Sequence, residues 1–268
     1  PIDPLEELAG FGASDSNHLS IIREDGAMDL YTGGLRAIDK DGNKIFDHID
    51  NQDYLGYITE EVKDWSYMKF PFINSIGPEN GWYRVGPLSR VVACDFIDTD
   101  LAEVARKDFM GAFGNKPNGT SMTYHWARMI ETLHSIEKIE ELLNDSDLQG
   151  EDLVVKGERR NEAVGIIEAP RGTLFHHYKV DDNDQVTMAN LIVSTTSNNE
   201  PMNRAVKSVA DKYLSGQEIT EGLLNHIEVA IRAYDPCLSC ATHALGQMPL
   251  VAELVDSDGQ IVDRKERI

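Results

Sequence analysis

This chain is poor in cysteine, in basic residues and in long apolar runs, and each shortage excludes a class of protein. Three cysteines in 268 residues, two of them only three positions apart, cannot build a disulfide scaffold and point to a reducing compartment, taken here as the cytoplasm. Lys and Arg number 25 against 46 Asp and Glu, giving a formal net charge of −21. Phosphate binding needs clustered cations, so nucleic acid and anionic membranes are excluded as partners. No stretch approaches the roughly 18 apolar residues that mark a membrane span. The opening Pro1-Ile2-Asp3-Pro4-Leu5-Glu6-Glu7 has neither the basic start nor the apolar run of a signal peptide, and without an initiating Met it reads as an N-terminally incomplete chain. No internal repeat or low-complexity linker appears. What remains is an ordinary globular composition, 41% apolar with three tryptophans.

Patterning predicts a helix-dominated α+β domain, with long central helices and peripheral antiparallel β segments. Residues 19–50 read as strands around the turn Asp39-Lys40-Asp41-Gly42-Asn43. Met122, Trp126, Met129, Ile130, Leu133, Ile136 and Leu143 recur at three- and four-residue steps and predict one amphipathic helix over 119–144. A second β region follows, with 164–168 and 174–180 flanking Ala169-Pro170-Arg171-Gly172 and a turn at 181–184 leading into 185–193. Two helices close the pattern, one from Asn199 with Pro201 in its first turn and one over 218–234 with Ile219, Leu223, Leu224, Ile227 and Ile231 inward.

The second helix delivers Asp235-Pro236-Cys237-Leu238-Ser239-Cys240-Ala241-Thr242-His243, the most chemically concentrated segment of the chain. Two thiolates three residues apart can close on one metal, and His243 offers a further ligand. Spacing alone leaves three readings open: a metal site, a redox dithiol or unremarkable thiols. A thioredoxin-type pair would open a helix after a strand, whereas this one follows a helix. Cys94, alone in Val91-Val92-Ala93-Cys94-Asp95-Phe96, reads as a buried small hydrophobe. Arg171 is an exposed turn arginine unless a buried anion holds it. His176 and His177, adjacent on a strand, face opposite sides and cannot share one ion. In Ser194-Thr195-Thr196-Ser197, helix capping accounts for Ser197 or Asn198, and Thr195 is free for another role.

Together these segments resemble the C-terminal half of a nickel–iron hydrogenase large subunit. The terminal segment resembles the family signature D-P-C-x-x-C-x-x-H, Glu168-Ala169-Pro170-Arg171-Gly172 matches its E-A-P-R-G segment, and Val193-Ser194-Thr195-Thr196 fits V-P-S/T-T except for Ser194 at the Pro position. Tyr83-Arg84-Val85-Gly86-Pro87-Leu88 is similar as well. The variants Cys-Leu-Ser-Cys-Ala-Thr-His and Leu-Phe-His-His-Tyr look most like the cytoplasmic NAD-reducing bidirectional type, ahead of the coenzyme F420-linked and methyl-viologen types.

The resemblance implies a nickel–iron centre with CO and cyanide on iron, with Cys237 a terminal nickel ligand and Cys240 bridging. It implies that Arg171 stabilises charge over the vacant metal face, that Thr195 donates to a cyanide with Ser194 beside it, and that Pro170 walls a dry pocket. Asp235 would orient Arg171 or tune the cysteines. His243 and the Leu191 carbonyl would hold a magnesium ion. One departure matters: the family's first cysteine pair, in an R-x-C-G-x-C context, is absent, and with it an acidic proton-relay residue. This chain is therefore expected to hold half of the metal ligands. Residues 244–268 would be an extension removed by a maturation endoprotease. The implied activity is reversible heterolytic cleavage of H2, with electrons leaving through an iron–sulfur small subunit, then through an NAD-binding diaphorase module. Two other functions compete: a noncatalytic scaffold like the quinone-site subunit of respiratory complex I, and a zinc-binding interaction module.

Overall fold

Strands β1 (Asn17–Ile22), β2 (Gly34–Ile38) and β3 (Lys44–Ile49) form an antiparallel meander. The computed structural model describes residues 10–214, 216, 218–242 and 250–267. The β2–β3 turn lies where the sequence places it. The Asp39 carboxylate accepts from the Asp41 and Asn43 N–H groups, and Gly42 takes the left-handed φ of 88° that the turn requires. A short hairpin, β4 (Ile58–Glu61) with β5 (Phe70–Ile73), follows a 3-10 turn at Asn51–Gly56. Strand β6 (Tyr83–Arg84) then adds to β1 in parallel, completing the order β3-β2-β1-β6.

Gly86 leads into α1 (Pro87–Ala93), with Pro87 in the first turn where its missing N–H costs nothing. Helices α2 (Asp100–Ala112) and α3 (Thr123–Leu143) follow. The predicted stripe on α3 is only partly the buried one. Thr123, Tyr124, Ala127, Ile130 and His134 face the core, while Met129, Ile136 and Leu143 are exposed. This helix carries apolar residues on two faces, and the side contacted by α1, α2 and the later helix over 221–233 is the one covered within the described residues.

Strands β7 (Glu162–Ala169), β8 (Gly172–Val180) and β9 (Val186–Ile192) form the second predicted sheet. The hydroxyl run does not simply precede a helix. Ser194–Ser197 is itself a helical turn, α4, followed by α5 (Asn199–Val209) and a π-helical turn at Ala210–Leu214. Neither Ser197 nor Asn198 caps α5 as expected. The Asn198 side chain instead accepts from Val85 N at 3.0 Å and donates to Val85 O at 3.3 Å, because the neighbouring chain offers it better partners. Helix α6 (Glu221–Ala233) buries Leu224, Ile227, Ala230 and Ala233. A five-residue helix α7 (Leu238–Thr242) and a hairpin of β10 (Leu250–Val255) with β11 (Ile261–Arg267) complete the described chain. The hairpin leaves Val251, Leu254, Val255, Ile261 and Val262 exposed.

Two cores result. Leu88, Val91, Phe109, Tyr124, Met202, Ile227 and Tyr234 fill the helical one, and Leu19, Ile21, Tyr54, Tyr83, Val85, Phe175 and Ile192 the β-sheet one. Val85 and Gly86 run between them and carry the β7–β8 turn: a Cβ on Gly86 would lie 2.7 Å from the Arg171 carbonyl oxygen.

Candidate metal centre

The β7–β8 turn is clamped from beneath by Arg90, a fully buried guanidinium on α1. Its Nη1 donates to Glu168 Oε2 at 2.7 Å and to Ala169 O at 3.0 Å; its Nη2 donates to Glu131 Oε2 at 2.8 Å and to Pro170 O at 3.3 Å, and its Nε to Glu131 Oε1. Burial opposes the cation, but the two carboxylates outweigh it and raise the Arg90 pKa. Glu168 Oε1 accepts from Ile21 N at 2.9 Å and Thr173 Oγ1 at 2.7 Å. Burial raises the Glu168 carboxyl, and Arg90 offsets only part of that rise.

That clamp presents Arg171. Its Nε donates to the Asp235 carbonyl at 2.6 Å and lies 3.3 Å from Asp235 Oδ2. Asp235 has a φ of 51°, the left-handed conformation in which the chain leaves α6 and turns toward Pro236 and Cys237. Ser194 Oγ donates to Gly172 O at 2.6 Å, and the Cys237 N–H donates to Thr195 Oγ1 at 3.0 Å. Residues 22 to 64 positions apart thus meet around the cysteine pair, with Arg171, Asp235, Ser194, Thr195 and Cys237 in one cluster.

Cys237 and Cys240 lie with Cα atoms 5.4 Å apart and their sulfurs joined in a disulfide, so both sulfurs reach one point; ligation requires them as thiolates. The pair follows α6, as the sequence predicts, and opens α7. No group of three or more His, Cys, Asp or Glu suited to a metal occurs among the described residues. Within this chain Pro170 is exposed at the tip of its turn, and Cys240 is exposed as well. Arg171 is neither buried nor an unpartnered turn residue: its side chain is 42% exposed yet fixed by Asp235. His243 lies outside the described residues.

The remaining expectations fall as the spacing requires. His177 points inward at 5% exposure and His176 lies on the other face beside Tyr178. Cys94 is a free, buried thiol whose pKa is pushed up to about 12 by burial.

Leu191 borders a cleft of about 210 Å³ together with Glu60, Lys69, Asn190, Thr196 and Ala241, the residue after Cys240. Glu60 Oε2 pairs with Lys69 Nζ at 3.2 Å, while its Oε1 is buried without a hydrogen-bond partner. Sequence reasoning missed Glu60, Lys69, Arg90, Glu131 and Asn190, since none lies within a motif that its spacing could reveal. No helix among the described residues is long and apolar enough to cross a membrane.

Residues 11–243 match the nickel-dependent hydrogenase family. The NAD-reducing hydrogenase HoxS subunit beta of Cupriavidus necator is 48% identical over 253 residues, covering 93% of this chain and 52% of its own length. An F420-non-reducing hydrogenase chain of Methanothermobacter marburgensis is 42% identical over 267 residues, covering 97% of this chain and 55% of its own. A solved NAD+-reducing NiFe hydrogenase in the H2-reduced state superposes with a TM-score of 0.85 at 50% identity, over 89% of this chain and 53% of that one. The chain therefore spans about half the length of the curated relatives it matches.

Proposed function

This chain belongs to the nickel-dependent hydrogenase family, and from that premise we propose that it forms the C-terminal, metal-binding portion of a hydrogenase large subunit that cleaves H2 heterolytically and reversibly. The observation that carries the reading is the meeting of three separate motifs at the cysteine pair: Arg171 on the Asp235 carbonyl, Thr195 on the Cys237 N–H, and Ser194 on the turn that carries Arg171.

Soft thiolates suit nickel and low-spin iron, so Cys237 and Cys240 are the residues of this chain that would hold such a centre. When bound, a nickel–iron centre with CO and cyanide supplies the Lewis acid that heterolysis demands. The chain's own residues supply the rest. Cys237 Sγ is the base that receives the proton. Arg171, always cationic and held by Asp235, stabilises negative charge above the pair. Thr195 Oγ1 uses a lone pair on the Cys237 N–H and keeps its own proton to donate to a cyanide.

A magnesium ion suits the neighbouring cleft. The orphaned Glu60 Oε1 is the kind of hard oxygen such an ion attracts, directly or through water, and the Leu191 carbonyl and His243 would be ligands. Electrons pass to an iron–sulfur partner subunit, since three cysteines with two committed to the centre cannot hold a cluster here. NAD is the proposed final acceptor, reached through a diaphorase module, and the complex is proposed to work in the cytoplasm. Residues 244–268 are a maturation extension removed by an endoprotease after His243.

The test is metal analysis with activity in the assembled complex. Cys237→Ser or Cys240→Ser should lose nickel and H2 turnover together while the domain stays folded; a Cys240→Ser complex with normal activity would remove the ligand assignment. Zinc alone in the unsubstituted protein would favour the interaction module, and an assembled complex devoid of metal the scaffold.

A further inference from the structure

The hydroxyl run departs from the family pattern at one position, Ser194 in place of Pro, and the backbone there suits either residue. Ser194 is the first residue of α4, a helical position that Pro fills without losing a hydrogen bond. Val193 before it is extended, with φ −75° and ψ 147°, the conformation a residue preceding Pro adopts. Backbone geometry therefore does not account for the serine. Its hydroxyl makes a contact that a Pro ring cannot: Ser194 Oγ donates to the Gly172 carbonyl at 2.6 Å. Ser194 is only 3% exposed, so water does not stand in for that bond.

A buried hydroxyl needs an acceptor, and any nearby carbonyl would satisfy it. The acceptor it has taken closes a ring. From Gly172 the chain leads back to Arg171, whose Nε donates to the Asp235 carbonyl at 2.6 Å. Beyond Asp235 and Pro236, the Cys237 N–H donates to Thr195 Oγ1 at 3.0 Å, and Thr195 adjoins Ser194. The other restraints on the Arg171 turn lead elsewhere. Arg90 holds the Ala169 and Pro170 carbonyls, and Gly86 lies against the Arg171 carbonyl, all from the side of β6 and α1. Ser194 is thus the link that ties the arginine turn to the segment on which Cys237 rests.

We propose that Ser194 is a positioning residue for Arg171, its hydroxyl holding the arginine turn in register with the cysteine segment. The proposal rests on the hydrogen-splitting reading above. The Arg171 side chain is 42% exposed and bonded through Nε, so the guanidinium takes its placement from the turn beneath it. A cation stabilises developing charge only where its geometry is fixed in advance. Without the Ser194 bond the turn stays clamped to the two cores but is uncoupled from Thr195 and Cys237. The serine at this position is then a device for catalysis, not for folding.

The test places Ser194→Pro and Ser194→Ala in the assembled complex, each alone and combined with Arg171→Lys. Both single variants should keep their nickel and their melting temperature. Their H2 turnover should fall by about ten- to a hundredfold, the scale set by a group displaced by up to ~1 Å. The infrared CO and cyanide bands of the centre, which sense a nearby cation, should shift. In the Arg171→Lys background the same substitutions should change turnover by no more than about twofold, since effects exerted through one residue do not add. Full turnover in Ser194→Pro, unshifted bands, nickel or stability lost in step with turnover, or effects that add to those of Arg171→Lys would each overturn the positioning role. An unsubstituted complex with neither nickel nor H2 turnover would refute the hydrogen-splitting reading itself, and the role of Ser194 would fall with it.

Discussion

Replacing Arg90 with Met removes the cation beneath the Arg171 turn while keeping most of the side-chain volume. Glu168, whose side chain is 0% exposed, would lose the partner that neutralises it, and the Ala169 and Pro170 carbonyls would each lose a donor. Breaking a buried ion pair from one side costs about 3–5 kcal/mol, because the surviving charge stays desolvated. At ~2–4 °C per kcal/mol for a chain of this size, the melting temperature should fall by about 6–20 °C. The loss should depend on pH. Burial already raises the folded-state pKa of Glu168, and removing Arg90 raises it further. A carboxyl raised in this way contributes stability below its unfolded pKa and loses that contribution as pH rises through the folded one. The deficit should therefore be largest at neutral pH and shrink on acidification, as Glu168 takes up a proton. The double variant Arg90→Met/Glu168→Gln should recover part of it, since no buried charge remains. Thermal unfolding followed by circular dichroism at several pH values provides the measurement. A shift below about 2 °C at neutral pH, or one that does not change with pH, would refute the buried-charge reasoning.

Arg171→Lys should assemble the centre yet lose most H2 uptake, because an ammonium cannot reproduce the planar, multi-donor guanidinium; full uptake would leave Arg171 as a surface residue. Gly172→Ala should destabilise the chain by about 1–3 kcal/mol in urea unfolding, since φ is 136° and the new Cβ would lie against Val85 and 2.7 Å from Gly86 N; an unchanged midpoint would contradict that packing. Cys94, buried and with its pKa pushed up to about 12, should resist iodoacetamide in the native fold and react only after denaturation, as read by mass spectrometry. Intact-mass analysis of active enzyme should find a large chain ending at His243; a fully active form that retains residues 244–268 would refute the processing step and leave the ligand assignment standing.

Much of this protein was legible from local pattern. The Asp39–Asn43 turn, the strands on either side of Pro170 and Arg171, the Pro201 helix start and the helix leading to Cys237 all rest on signals a few residues long, and each appears at or near its predicted place. The opposite facing of His176 and His177 follows from strand geometry alone. The spacing of Cys237 and Cys240 marked them as candidates but left metal, redox and unremarkable thiols open, and their ligand roles came from the family resemblance.

Tertiary structure alone decided the rest. The sequence marks α3 as amphipathic, but which apolar residues are covered depends on where α1, α2 and α6 lie. Nothing local announces that Arg90 bonds Glu131 and Glu168, 41 and 78 positions away, or that Asn198 serves Val85 rather than its own helix. Glu60 and Asn190 acquire a role only when β4 and β9 border one cleft. Periodicity and turn chemistry are properties of neighbouring residues, so a sequence carries them openly. A buried charge network or a cleft wall exists only after distant segments pack, and the desolvation that gives those groups their chemistry is a product of that packing.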